Sequence, residues 1–348
     1  MSPYFCTRPW TSFEITRENG EVRVCCWTSN VLGNVNEGSI AEIWNGQEAR
    51  ELRRKMAAGD YADVCPETCP YIQGIYKDNV VIPREQKFLA NFELSQREIA
   101  ERRELIESLP RIWRITHSTL CNLDCVMCYQ DREDKTSLPA SIYEDVKKYY
   151  HVMQELLLMG GEPFAIKQFR NLIRNFPAEQ YPDVAFTFIT NGTIFDPEIV
   201  AMVGRLRVLW MLISIDAATP ATYSQVRRKG DLEVTLNGVR TWAELGRRKN
   251  FGVVLSFTVM RSNVRELAEF VALTAAEKVS CQFTLVRGDF GDEDLIDPSV
   301  LDYETARALR HPALNDEAMN LAKTTLLDIR KQIPALKASR RLSLPVSV

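Results

Sequence analysis

Hydrophobic runs alternate with amphipathic helical patterns from Arg111 to about Gly288. Near-continuous apolar segments of strand length, separated by helices, are typical of a parallel sheet covered by helices. The predicted strands are residues 111–119, 155–160, 184–190, 208–216, 251–260 and 280–287, and the first helix is predicted over Ala140–Met153. Six strand–helix units predict an α/β fold, a partial (β/α)6 barrel that stays open. Reactive groups are then expected at the carboxyl ends of its strands.

The flanking segments follow different patterns. Residues 1–80 hold five cysteines and short strand-like stretches such as Glu21–Val24, so they predict a small cysteine-rich module. Within residues 81–110, the segment from Glu85 to Leu109 is charge-rich and helical, and we interpret it as a solvated connecting helix. Residues 111–290 are the predicted barrel, and residues 291–348 are a C-terminal extension with helices between Leu301 and Leu336.

Composition narrows the function classes. The formal net charge of -3 gives no electrostatic footprint for generic nucleic-acid binding. No apolar stretch is long and uncharged enough to span a bilayer, and the first residues lack the pattern of a secretory signal. We therefore expect a cytoplasmic protein without a membrane partner. In a reducing compartment, its nine cysteines are expected to be metal ligands or core thiols rather than disulfides.

Three cysteines, Cys121, Cys125 and Cys128, give the strongest chemical signal. Thiolates at this spacing are able to hold one cubane [4Fe–4S] cluster, and three ligands for four irons leave one iron open for a substrate or cofactor. The alternatives are a structural zinc site or three unrelated buried thiols. Zinc sites usually pair two-residue CxxC turns with a fourth ligand, and neither His117 nor His151 lies at such a spacing.

The cysteine run and the motifs after it resemble the radical S-adenosylmethionine (SAM) enzymes, whose signature CxxxCxxC follows the first strand of a partial barrel. Motifs similar to the family's GGEP, TNG and SID sequences, and an arginine, follow in the family's order near the ends of predicted strands. The resemblance implies that SAM is bound by Gly160, Gly161, Glu162, Thr190, Asn191, Ser214, Asp216 and Arg227, with Tyr129 near the adenine.

The chemistry of SAM suits these residue types independently of the resemblance. A bound amino acid needs an anion near its amine, donors near its carboxylate and close backbone approach, which Glu162, Arg227 and the Gly160-Gly161 pair would supply. Short polar side chains such as Ser214 and Asp216 suit a ribose diol. Taken one at a time, the glycines could form only a tight turn, Asp216 could cap a loop, and Arg227 could lie on a solvated helix face.

The N-terminal module resembles the SPASM module, or its shorter twitch form, which binds an auxiliary iron–sulfur cluster. The resemblance rests on the passage from Leu32 to Asn45, which lies between two groups of cysteines. In the family this module usually follows the barrel, whereas here it precedes it. The resemblance implies a second cluster, of the [4Fe–4S] type, with Cys6, Cys25, Cys65 and Cys69 as ligands.

Two features of these cysteines depart from the family pattern. The last pair is spaced CxxxC rather than CxxC, and Cys25-Cys26 is a doublet in which either thiol could be the ligand. Alternation along a strand favours Cys25, with Cys26 on the opposite face. A structural zinc ion in a module too poor in apolar residues to fold alone is the alternative.

The activity implied by the resemblance is that of a radical SAM oxidoreductase. SAM would be cleaved reductively to a 5'-deoxyadenosyl radical that abstracts a hydrogen atom from a peptide or small polar metabolite, with a flavodoxin-like or ferredoxin-like electron donor. An auxiliary cluster that accepts an electron would give net oxidation, such as dehydrogenation or a cross-link.

Three other functions stay open. Cys281 in the last strand could return a hydrogen atom from the barrel interior and epimerise the substrate, although core packing is the simpler interpretation. A non-catalytic iron–sulfur protein for electron transfer and a zinc-stabilised binding protein are the remaining alternatives.

Overall fold

The structure, a computed structural model, describes residues 5–66, 69, 71–72, 86–131, 133, 136–288 and 290–342. The chain divides into two compact units. The first unit comprises residues 1–120, 131–188 and 205–209, and the second comprises residues 121–130, 189–204 and 210–348. Among the described helices, none combines the length and the apolar character needed to cross a membrane.

Strands and helices alternate along most of the described chain. The strands are β1 (Ser12–Ile15), β2 (Glu21–Arg23), β3 (Gly33–Asn34), β4 (Ile112–Thr116), β5 (Asp124–Cys125), β6 (Glu155–Met159), β7 (Ala185–Thr190), β8 (Arg207–Ser214), β9 (Arg227–Arg228), β10 (Gly252–Val259) and β11 (Ser280–Leu285). The α-helices are α1 (Ile40–Trp44), α2 (Gln47–Ala58), α3 (Gln86–Ala100), α4 (Ser141–Lys147), α5 (Lys167–Asn175), α6 (Pro197–Gly204), α7 (Pro220–Val226), α8 (Leu232–Lys249), α9 (Leu267–Ala276), α10 (Pro298–Leu309) and α11 (Asn320–Leu342).

The first unit is built on a mixed sheet in which β1 joins the N-terminal region to the predicted barrel strands. β1 pairs antiparallel with β2, which pairs antiparallel with β3, and on its other side β1 pairs parallel with β4. β4 pairs parallel with β6, and β6 with β7. Phe13 of β1 packs on Trp113 of β4, which packs on Tyr149, so the aromatic face of these strands is buried.

The second unit contains the parallel strands β10 and β11 and residues 210–214 of β8, with helices packed on β10 and β11. Asp231 begins α8 by accepting a hydrogen bond from the Val234 amide, and Asn250 ends it with a left-handed backbone (φ 60°). α11 lies against β11, where Thr325 Oγ1 accepts a hydrogen bond from the Phe283 amide (3.1 Å). A separate antiparallel ladder joins β5 to β9.

The fold class predicted from the pattern, α/β with parallel strands, covering helices and C-terminal helices, is confirmed. Each predicted barrel strand is present within two or three residues of its expected bounds. The helices expected between Leu301 and Leu336 are α10 and α11, with short 3-10 turns between them. The predicted domain boundaries stay predictions.

The prediction of a solvated connecting helix over Glu85–Leu109 was wrong in length and environment. α3 ends at Ala100, because Arg102 takes a left-handed backbone (φ 56°) and the Arg103 amide donates to the Glu98 carbonyl. Phe88 and Glu98 on this helix are buried. The Glu98 carboxylate accepts from the amides of Glu107 and Ser108, so this charged residue holds the loop that follows α3 and does not face solvent. Glu85 itself lies outside the described residues.

The helix predicted over Ala140–Met153 is also shorter than expected. α4 ends at Lys147, and the following residues form turns in which amides bond three residues back, from Tyr149 to Val146 and from Tyr150 to Lys147. These tighter turns rotate Tyr149 and Tyr150 into buried positions. The apolar pattern of residues 149–153 therefore marks core packing after the helix has ended.

Candidate functional site

The segment from Cys121 to Gln130, which we call the cysteine loop, carries the three thiols of the CxxxCxxC run. Cys125 lies in β5, directly opposite Arg227 of β9. The Cys128 amide donates to the Cys125 carbonyl (3.2 Å), so the second and third cysteines share one tight turn. All three cysteines are half-buried. The loop therefore presents its thiols at a partly open surface.

Asparagines hold the first cysteine of this loop. Asn191, which follows β7, donates from Nδ2 to Cys121 Sγ (3.8 Å) and to Asn122 Oδ1 (2.8 Å). Asn122 Nδ2 donates in turn to Thr193 Oγ1 (2.8 Å), and the Leu123 amide points at Cys121 Sγ (3.4 Å). The Thr190-Asn191-Gly192 motif thus clamps the start of the cysteine loop through side-chain amides.

A buried ion pair lies against the second cysteine. Arg227 donates from Nε to Asp216 Oδ2 (2.8 Å) and also from Nη2 to the same oxygen, while its Nη1 points at Cys125 Sγ (3.6 Å). Burial alone would lower the pKa of Arg227, but the Asp216 carboxylate and the Cys125 side chain raise it overall, so the guanidinium stays charged. Burial raises the pKa of Cys125, and Arg227 opposes that rise.

Asp216 is itself fixed by a network from β10 and the residues after it. Its backbone is left-handed (φ 61°), which is unusual for a residue other than glycine. Its Oδ1 accepts from the Thr258 amide (2.5 Å), and its carbonyl accepts from Asn263 Nδ2 (2.8 Å). A strained, buried residue held by several bonds is characteristic of a functional position.

The glycine pair of the GGEP motif forms a close backbone approach in the first unit. The Gly161 amide donates to the Ser118 carbonyl (2.9 Å), and the Glu162 amide donates to the Leu120 carbonyl (2.8 Å). A Cβ atom on Gly161 would lie 2.0 Å from the Leu120 carbonyl oxygen, and Gly160 has φ 139°. Only glycine fits both positions, and the turn brings buried Glu162 against the end of the segment that precedes Cys121.

The remaining predicted SAM-binding residues have varied surroundings. Thr190 is buried and accepts the Gly192 amide at Oγ1 (3.1 Å). Ser214 is half-buried at the carboxyl end of β8. Tyr129 is 74% exposed at the end of the cysteine loop.

Two supporting residues were missed by the sequence analysis. Asn263 holds the Asp216 carbonyl, and Glu266 binds the segment after Asp216 through the amides of Ala218 and Thr219 and the Thr222 hydroxyl. Asn263 follows the carboxyl end of β10, so its place at a barrel-strand end was the signal that could have found it. Glu266 lies in a helical pattern and gave no such signal.

We call the described part of residues 5–72, which contains the N-terminal cysteines, the auxiliary module. Cys6, Cys25 and Cys69 are buried and Cys65 is half-buried. Thr28 Oγ1 donates to the Val64 carbonyl (2.9 Å), which fixes the Cys65 segment to the one after the doublet. Burial raises the pKa of Cys65 to about 11, and Cys69 adds to the rise.

The surroundings of the cysteine doublet and of Cys281 differ from what the sequence indicates. Cys25 is buried and Cys26 exposed, as favoured, but both lie beyond the end of β2 instead of alternating along a strand. Cys281 Sγ accepts a hydrogen bond from Thr274 Oγ1 of α9 (3.4 Å), so the thiol lies on the helix-covered side of β11. Hydrogen donation from the barrel interior requires the opposite side, which counts against the epimerase alternative.

The cysteine loop fits an iron–sulfur cluster in its donor chemistry. Asn191 and Arg227 direct N–H groups at the sulfurs of Cys121 and Cys125, as suits thiolates bound to a cluster. Among the described residues, no three Cys, His, Asp or Glu side chains converge closely enough to hold a single metal ion. A cluster binds each thiolate through a different iron and does not need that convergence.

The described part of the first unit also contains a groove of about 500 Å³. None of its lining residues is a cysteine or belongs to the cysteine loop. It lies between α4, α5 and the segment that follows α5, and tyrosines and carboxamide side chains line it. None of the residues that line it belongs to the motifs predicted to bind SAM.

Two family models match the chain. The model described as the Radical SAM superfamily matches residues 115–273, and the SPASM model, described as an iron–sulfur cluster-binding domain, matches residues 6–70. A radical SAM domain implies a [4Fe–4S] cluster and SAM, and a SPASM domain implies an auxiliary iron–sulfur cluster, so the predicted cofactors are confirmed.

Curated relatives are similar to part of the chain. A GTP 3',8-cyclase from Petrotoga mobilis is 28% identical over 179 residues, which cover 49% of this chain and 54% of that protein. The mycofactocin maturase MftC from Mycolicibacterium smegmatis is 28% identical over 179 residues, which cover 50% of this chain and 44% of that protein. The chain therefore spans about half the length of these relatives.

A solved structure shares the fold. Streptococcus suis SuiB bound to the precursor peptide SuiA matches with a TM-score of 0.52 at 15% identity, over 79% of this chain and 61% of that one. At this identity the likeness shows the fold, and it confirms the predicted partial barrel.

Proposed function

Because the chain belongs to the radical SAM superfamily and carries a SPASM domain N-terminal to the radical SAM domain, we propose that it modifies a peptide by hydrogen-atom abstraction. The observation that carries this proposal is the cysteine loop, whose three half-buried thiols meet N–H donors at two of their sulfurs. When bound, the cluster and SAM supply the 5'-deoxyadenosyl radical that abstracts the hydrogen atom.

We assign the residues of this chain as follows. Cys121, Cys125 and Cys128 hold the SAM-binding cluster. Glu162 and the backbone of the glycine pair bind the amino group of SAM, and the N–H groups of Arg227 that Asp216 and Cys125 leave available face its carboxylate. The other proposed SAM contacts are Tyr129, Thr190, Asn191, Ser214 and Asp216.

The auxiliary module is the reason why we propose net oxidation. Cys6, Cys25, Cys65 and Cys69 are four thiols in one small region, enough to close a cluster and leave no iron for a substrate. Such a cluster suits electron acceptance, so we propose net oxidation or cross-linking, with a flavodoxin-like or ferredoxin-like protein as the electron donor.

A peptide substrate is favoured because a solved structure of this fold holds a precursor peptide, SuiA. A small polar metabolite is the second candidate, because one relative is named a GTP 3',8-cyclase. Deuterium transfer into 5'-deoxyadenosine separates the two: a uniformly deuterated peptide digest would label the product if the substrate is a peptide. Labelling only from a deuterated, peptide-free metabolite extract would identify a small molecule instead.

The radical SAM assignment is tested on anaerobically reconstituted protein reduced with dithionite. Wild type should hold about eight irons and cleave SAM to methionine and 5'-deoxyadenosine, and the variant with Cys121, Cys125 and Cys128 all changed to Ala should hold about four and cleave none. Cys281→Ala removes a thiol elsewhere and should cleave SAM like wild type. A wild-type protein that binds iron without cleaving SAM would instead be a non-catalytic electron-transfer protein.

A further inference from the structure

We propose that Arg227 is a positioning residue that donates a hydrogen bond to the Cys125 sulfur in the cluster-loaded protein and thereby raises the reduction potential of that cluster. The contact is already present between Nη1 and Sγ at 3.6 Å. The inference rests on the proposed function only for the identity of the cluster ligands. It goes beyond SAM binding, because it acts in the absence of SAM.

The fold holds the Arg227 guanidinium in place before any cofactor binds. Asp216 accepts two of its N–H groups, and Asp216 is in turn fixed by the Thr258 amide and the Asn263 side chain. Both members of the pair are buried. A donor whose orientation is fixed by its neighbours loses little conformational entropy when it bonds a sulfur, so its effect on the thiolate is strong.

The β5–β9 ladder fixes which arginine reaches the sulfur. Cys125 is paired with Arg227, and Asp124 is paired with the next residue, Arg228. Arg227 is buried, whereas Arg228 is exposed. Two adjacent arginines therefore carry the same charge on the same short strand, but only the first points at a cluster ligand.

Electrostatics gives the direction of the effect. Reduction adds an electron to the cluster, and a hydrogen bond to a ligand sulfur, from a positively charged donor, stabilises the reduced form. Such a contact is more effective in a buried site than in water because the local dielectric is lower. The Asp216 carboxylate offsets part of the positive charge, which keeps the potential within the low range that SAM cleavage requires.

The test is a redox titration monitored by electron paramagnetic resonance, without SAM or substrate, on the full chain with both clusters loaded. For Arg227→Gln, the ratio of reduced to oxidised loop cluster at a fixed applied potential should fall about tenfold, which is 59 mV for a one-electron couple. Arg228→Gln removes the same charge at the exposed neighbour and should leave the ratio unchanged. Equal shifts in both variants, or no shift in Arg227→Gln, would overturn the proposal.

Two further variants separate tuning from a merely structural role. Asp216→Asn removes the negative charge beside Arg227 and should shift the loop-cluster potential in the opposite direction, to more positive values. Arg227→Lys keeps the charge but loses the planar fork, so it should shift the potential less than Arg227→Gln. If both Arg227 variants lose the loop iron, if Arg227→Gln holds it at the wild-type potential, or if Arg227→Lys shifts the potential as much as Arg227→Gln, Arg227 does not tune the cluster as proposed.

The failure of this inference and the failure of the proposed function are distinguishable. A wild-type protein that assembles no loop cluster, or that never cleaves SAM, contradicts the proposed function. A wild type that cleaves SAM, together with an unshifted Arg227→Gln, contradicts only the tuning role.

Discussion

The two cysteine regions of this chain differ in how they expose their thiols. In the auxiliary module, Cys6, Cys25 and Cys69 are buried, whereas all three cysteines of the cysteine loop are half-buried. The module offers four candidate ligands and the loop offers three. A complete ligand set in which only Cys65 is half-buried suits a closed cluster that exchanges only electrons, and a half-buried, incomplete set suits a cluster that also binds a small molecule.

The two regions are also held by different kinds of interaction. In the module and the segments around it, Arg53 is buried and donates to the carbonyls of Pro9, Trp44 and Glu104. Burial lowers the pKa of Arg53 to about 10, with Glu98 opposing, yet the group stays charged at neutral pH. Arg53 therefore holds three backbone segments together. Arg227 in the loop region is directed at a carboxylate and a sulfur, so it acts on the chemistry of the site.

Backbone substitutions should show the largest contrast, between Gly59 in the auxiliary module and Gly161, which contacts the segment that precedes the cysteine loop. Gly161→Ala would place a Cβ 2.0 Å from the Leu120 carbonyl oxygen, and it should lower the free energy of unfolding by at least about 3 kcal/mol. Gly59→Ala, at the left-handed end of α2, meets no atom within 4 Å and should cost only about 1 kcal/mol. Chemical denaturation of the iron-free protein measures both, and equal costs would contradict the close approach at Gly161.

Thiol reactivity should separate the regions directly. In the folded iron-free protein, iodoacetamide should modify Cys121, Cys125 and Cys128 at least about tenfold faster than Cys6, Cys25 and Cys69, because reaction requires an accessible thiolate. Exposed Cys26 serves as the internal standard for the N-terminal region. Peptide mass spectrometry gives the rates, and modification of Cys25 as fast as Cys26 would mean that the module is open.

The smallest expected effect is a change of about twofold in iron content, and it tests whether Cys25 or Cys26 is the cluster ligand in the module. Cys25→Ala should lower the iron from about eight to about four per chain, because the auxiliary cluster loses a ligand. Cys26→Ala, next in sequence but exposed, should keep all of the iron. Iron and sulfide analysis decides the point, and the reverse result would make Cys26 the ligand.

Features that depend on local sequence could be predicted. β7 was expected at residues 184–190 and spans Ala185–Thr190, because a buried parallel strand needs a continuous apolar run. The cysteine loop could be predicted because Cys121, Cys125 and Cys128 have the spacing that a cluster needs. The donors to its sulfurs could not be assigned, because Asn191 and Arg227 lie 70 and 102 residues away from Cys121 and Cys125 in sequence.

β1 shows why other features escaped prediction. Its four residues, Ser12–Ile15, include Glu14 and form no apolar run. Glu14 is buried because Arg8 (3.2 Å) and Arg114 (3.3 Å) both contact its carboxylate. Burial raises the pKa of Glu14, and the two arginines oppose that rise. Only the fold brings these partners together, so a charged residue that reads as exposed in sequence becomes part of a buried strand.

The pairing of β1 with β4 limits how this protein could be engineered. Residues Ser12–Ile15 cover the edge of Ile112–Ile115 along their whole length. A truncated chain that began at Arg111 would expose the backbone N–H and C=O groups of that edge, and unprotected edges invite aggregation. The N-terminal module therefore cannot be deleted without exposing a strand edge of the rest of the protein. A transplant of this redox centre into another enzyme would have to carry its strand and offer that strand an edge to join.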